Sequence, residues 1–68
     1  YRKQGKYDAA IEQYKRALKV APNDENIYYN LGRAFLEAAR NEDARRAFES
    51  ALKINPNFPE VKEILSNL

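Results

Sequence analysis

The chain contains no cysteine, histidine, threonine, tryptophan or methionine. Without cysteine there is neither a disulfide framework nor a thiolate metal site. Without histidine the usual general base is missing, so Ser50 and Ser66, the only aliphatic hydroxyls, have nothing to activate them as nucleophiles. Ser50 falls among charged neighbours in mid-helix and Ser66 near the end of the chain; both read as surface residues. The two glycines, Gly5 and Gly32, stand alone, which excludes a glycine-rich phosphate loop. Glu60 and Glu63 lie three apart on one helical face, but carboxylates without a histidine read as a solvated face rather than a metal site. Neither catalysis nor a cofactor nor a metal is expected, and the chain reads as a non-enzyme.

Long apolar runs are missing too. None approaches the roughly 20 residues a membrane helix needs, and no signal peptide is visible. The 12 basic and 10 acidic residues interleave to a net charge of +2, which argues against nucleic acid or an anionic membrane as the partner. The densest basic groups, Arg2, Lys3 and Lys6, then Arg40, Arg45 and Arg46, each have acids close by: Asp8 and Glu12, Glu42 and Asp43. The compartment stays open, with the cytoplasm favoured. The chain opens on Tyr1 and has no methionine, which reads as a piece of a longer protein.

What is present is helical pattern. At 68 residues, 44% apolar and 32% charged, the chain is long enough for one small domain with a modest core. Tyr7, Ala10, Ile11, Tyr14, Ala17, Leu18 and Ala21 recur at steps of three and four, predicting a helix from Tyr7 to Val20. Gly5 suits the left-handed end of a preceding helical stub. Pro22 stops the first full helix, and Asn23 or Asp24 can cap the next.

The second helix is expected over Glu25 to Ala38, with Ile27, Tyr28, Leu31, Ala34, Phe35 and Ala38 inward. Asn41 is the expected N-cap of a third over Glu42 to Ile54, with Ala44, Ala47, Phe48, Ala51 and Leu52 on one side. Glu42 with Arg46 and Glu49 with Lys53 are spaced to add a few tenths of a kcal/mol each. Pro59 fits the first turn of a last helix reaching Leu68 through Val61, Ile64 and Leu65. The expected layout is thus a stub followed by four helices.

The chain also says one thing twice. "ALKVAPND" and "ALKINPNF" place Pro22 and Pro56 34 positions apart, and the same offset maps Ala10 onto Ala44, Tyr14 onto Phe48 and Ala17 onto Ala51. A fixed period of this length marks a repeat architecture. "IYYNLGRAF" followed by the spaced alanines, Phe48 and Pro56 resembles the tetratricopeptide repeat. In a repeat starting at Glu25 the signature falls on Tyr28, Leu31, Gly32, Phe35, Ala44, Phe48, Ala51 and Pro56. The resemblance implies an all-α fold of antiparallel helix-turn-helix repeats stacked as an α-solenoid. It divides the chain into the second helix of a truncated first repeat with its stub (1–24), a complete repeat (25–58), and a capping helix or the start of a third repeat (59–68). Three positions depart from the pattern. Ala39 replaces a glycine, so the second helix is expected to run on slightly; Asn41 and Lys62 replace aromatics.

In this family the first helix of each pair lines a concave groove. Here that implies Asn26, Tyr29, Asn30, Arg33, Leu36 and Glu37, the residues left over beside the apolar stripe. Their chemistry suits an extended peptide or protein segment: an amide for backbone groups, a guanidinium fork for a carboxylate, a flat ring with a polar tip. The subtype that clamps a C-terminal carboxylate is excluded, because Glu60 and Ile64 stand where its basic residues would be. The alternative expectation is self-association: a homo-oligomer formed through apolar repeat faces left open at the ends of so short an array.

Overall fold

A computed structural model of the chain describes residues 2–68, with side chains described from Lys6 onward. Four helices follow in order: α1 (Arg2–Val20), α2 (Glu25–Glu37), α3 (Asn41–Ile54) and α4 (Pro59–Ser66). They form a flat slab of 35 × 30 × 15 Å. Each packs on its neighbour in sequence, with α2 against α3 the most extensive pairing. This is an all-α stack of helix-turn-helix units.

The start differs from the sequence expectation. α1 runs without interruption through Gly5, so the stub and the first full helix are one element of 19 residues. Continuing the hydrogen-bond ladder through Gly5 keeps the backbone groups there paired, where a turn would leave helix ends to be capped. The side chains of Arg2 and Lys3, part of the first basic group, lie outside the described residues.

Asp24 caps α2 as expected: its carboxylate accepts from the Asn26 N–H at 2.9 Å. The other end of α2 does not run on. It stops at Glu37 in a Schellman closure, with Arg40 N–H donating to Phe35 O at 2.8 Å and Ala39 N–H to Leu36 O at 3.0 Å. That geometry needs a left-handed residue, and Ala39 supplies it at φ 62 despite its Cβ. Arg40, not Asn41, takes the N-cap position of α3 and makes no side-chain cap bond. Its guanidinium instead pairs with Asp43 at 3.0 Å and lies 5.1 Å from the Phe35 ring centroid. That pair is the one ion pair among the described residues; Glu42 to Arg46 and Glu49 to Lys53 do not close. α4 begins with Pro59 in its first turn and ends at Ser66, so Leu68 lies beyond the helix.

The core sits between α2 and α3. Ala44, Phe48 and Ala51 of α3 have no exposed surface, and Leu31, Gly32, Ala34 and Phe35 of α2 cover them. Gly32 explains how closely the two helices approach. A Cβ built there would lie 2.5 to 2.8 Å from three atoms of the Phe48 ring. From the far side Val61 of α4 completes the seal, itself fully buried. Ile11 is α1's one buried contribution among the described residues; Tyr7, Ala10, Tyr14, Ala17 and Leu18 are half-exposed.

Candidate functional site

The six residues expected to face a groove all lie on α2, but the structure divides them. Burying Leu31, Ala34 and Phe35 on one side of a 13-residue helix turns Asn26, Asn30, Arg33 and Glu37 outward, and all four are exposed. Tyr29 and Leu36 are half-buried at the border of the stripe and pack on the core cluster. Leu36 is therefore more a core-edge residue than a free groove contact.

Tyr29 bridges three elements. Its ring centroid lies 6.2 Å from that of Phe48 on α3 and 5.3 Å from that of Phe58. Phe58, at the N-cap position of α4, makes no side-chain cap bond; its ring packs on Tyr29 instead. The Arg33 guanidinium lies 5.8 Å from the Tyr29 ring centroid, close enough for a cation–π attraction. This limits the freedom of a long side chain while leaving it exposed. Aromatic stacking thus fixes one flank of the face, and the charge sits on top of it.

The other flank opens into a cleft of about 250 Å³ between α1 and α2. Asn30, Arg33, Ala34 and Glu37 form its α2 wall; Tyr7, Ala10 and Tyr14 form its α1 wall. Three of the six expected residues meet here, while Asn26 stays at the helix start beside the cap. Asn30 offers an amide donor and acceptor, Arg33 a cation, Glu37 an anion, and the two tyrosines apolar rings with hydroxyl tips. The cleft thus combines hydrogen-bonding groups, both signs of charge and apolar ring surface.

Two contributions escaped the sequence reading. Tyr7 and Tyr14 belong to the apolar stripe of the first helix, and helical spacing alone does not assign them to a cleft wall. Phe58 had no assigned role. The signal was available: the 34-residue offset pairs it with Asp24, an aromatic against a helix cap.

Two family models match the chain. One described as TPR repeat covers residues 1–38, and one described as Tetratricopeptide repeat covers residues 25–58. Among curated proteins, a peroxisomal targeting signal receptor of Candida glabrata is 38% identical over 52 residues, 76% of this chain and 9% of that protein. A protein O-mannosyl-transferase of Caenorhabditis elegans, F38B6.6, is 29% identical over 58 residues, 85% of this chain and 8% of that protein. The small glutamine-rich tetratricopeptide repeat-containing protein 2 of Mycosarcoma maydis is 29% identical over 62 residues, 91% of this chain and 18% of that protein. The chain thus spans less than a fifth of each of these relatives, and the transferase's name belongs to a protein of which only a small part is matched.

Proposed function

Because the chain belongs to the tetratricopeptide-repeat family, a family of protein–protein interaction modules, we propose that it binds an extended peptide segment carrying a carboxylate across the outward face of α2. Asn30 hydrogen-bonds the peptide backbone, Arg33 takes the carboxylate in its planar fork, and Tyr29 offers ring surface to an apolar side chain. Asn26 and Glu37 border the path, and Leu36 forms its floor.

The observation that carries this reading is the arrangement of Arg33. It is exposed, 5.8 Å above the Tyr29 ring centroid, and also lines the cleft that Asn30 and Glu37 share. A cation held in place before binding loses less freedom when it engages a ligand. A relative named as a targeting signal receptor supports a recognition role in the same family.

The test uses extended fluorescein-labelled peptides with and without acidic residues, followed by anisotropy. Replacing Asn30 and Arg33 together by alanine is expected to weaken binding of acidic peptides by about tenfold or more. The melting temperature should hardly move, since both side chains are at the surface. Unchanged affinity in a folded double variant would remove the groove assignment.

A further inference from the structure

A second cleft, of about 270 Å³, lies between α1 and α3, and it shares no residue with the cleft beside Asn30. Leu31 and Phe35 of α2 and Ala47 of α3, all buried, form its apolar floor. Lys15 of α1 stands on one wall and Arg46 and Ser50 of α3 on the other, with Arg40 and Asp43 completing the lining.

Three cations thus meet one carboxylate, and that carboxylate is already engaged. Asp43 accepts from the Arg40 guanidinium at 3.0 Å. Arg40 also lies 5.1 Å from the Phe35 ring centroid, so it serves as a fixed part of the wall. Lys15 and Arg46 are both exposed and close no ion pair among the described residues. Their acidic neighbours in sequence, Glu12, Glu42 and Glu49, do not line the cleft.

Nor is this charge a feature of the repeat. In the 34-residue register Lys15 corresponds to Glu49, and Arg46 to Glu12. Both cations stand where the other repeat has a carboxylate, and both face this one cleft.

An apolar floor between two cations without partners complements an apolar side chain flanked by carboxylates. The volume of about 270 Å³ falls below the roughly 300–1,000 Å³ of small-molecule sites and suits one or two side chains of a longer ligand. A nucleic acid would need a run of cations for its phosphates and an open ring to stack a base. Here the Phe35 ring is buried and lies against Arg40.

We propose that this cleft is a second binding site, taking an acidic segment of a partner protein. An apolar side chain of the segment rests on Leu31, Phe35 and Ala47. Flanking carboxylates pair with Lys15 and Arg46, and the Ser50 hydroxyl adds a donor. This goes beyond the reading of the outward face of α2 and does not rest on it.

The test titrates the isotope-labelled 68-residue chain with a peptide alternating leucine and glutamate, followed by amide shifts in NMR spectra. The same peptide with glutamine for glutamate is the control. The amides of Lys15, Arg46, Ala47 and Ser50 should move with the acidic peptide, also when Asn30 and Arg33 are both alanine, and the affinity should fall on adding salt. Lys15→Gln with Arg46→Gln should weaken this binding by about tenfold or more. Lys15→Arg with Arg46→Lys keeps both charges and should stay within about threefold of the unaltered chain. Circular dichroism checks that each variant is folded. If the Asn30 and Arg33 double variant loses all binding, this site is overturned and the outward face of α2 stands. If only the glutamine pair loses binding, this site stands and the outward face falls. An acidic peptide that binds the glutamine pair undiminished overturns the proposal. So does a single-stranded oligonucleotide of equal charge that moves the same amides and displaces the peptide.

Discussion

α1 and α3 are written in nearly the same pattern 34 residues apart, yet they live in different surroundings. α3 is enclosed by α2 on one side and α4 on the other; the extensive packing of α1 is on α2. Phe48 is sealed, and Tyr14, its counterpart, is half-exposed at the edge of a cleft. In a repeat architecture, then, burial belongs to a place in the stack and not to a residue. Each unit leaves an apolar face that only a neighbour can cover.

The largest effect expected from this contrast is on stability. Phe48→Ala should cost about 3–5 kcal/mol, a large share of what a domain of this size has. Tyr14→Ala should cost about 1 kcal/mol, because half of the side chain's transfer from water never took place. Urea denaturation at low chain concentration measures both. Equal losses would break the contrast; a difference of about threefold or more would sharpen it.

A smaller effect is expected at the place where the enclosed helices meet. Alanine is the better helix former by about 1 kcal/mol, yet Gly32→Ala should destabilise by about 1–3 kcal/mol, because the new methyl collides with a ring that has no room to move. Thermal melts decide it, and a gain would mean that the α2–α3 contact is looser than the 2.5 to 2.8 Å approach requires.

The smallest effect concerns the turns. Gly5 and Ala39 hold the same position in the 34-residue register, but the glycine lies inside a helix and the alanine takes the left-handed turn. Ala39→Gly should stabilise by about 0.5–1 kcal/mol: it relieves a penalty of about 1–2 kcal/mol and gives part of this back as freedom of the unfolded chain. A melting temperature that does not rise would show the closure at Ala39 to be unstrained.

Most of the fold was legible because its determinants are periodic. The inward residues of α2 and α3, the Asp24 cap and the Pro59 start all follow from spacing and backbone chemistry. What escaped was decided by neighbours. The turn chemistry at Gly5 and Ala39 points one way and the backbone goes the other: the glycine stays inside α1 and the alanine takes the left-handed turn. Asn41 is a better cap than Arg40 in isolation, but Arg40 is held by Asp43 and by the Phe35 ring. Of the candidate site, the outward face of α2 could be read from the gaps in its own stripe. The cleft beside it could not, because its second wall is a surface of α1 that the pattern marks as interior.

Val61 is the only buried residue of α4, a helix of eight residues. Eight residues are too few to stay helical alone in water, where about 12–15 are already marginal. The last helix therefore does not form first and dock afterwards; it exists while Val61 is seated and dissolves when Val61 leaves. That end of the molecule has a lifetime as well as a position, and anything that reads α4 competes with its undocking.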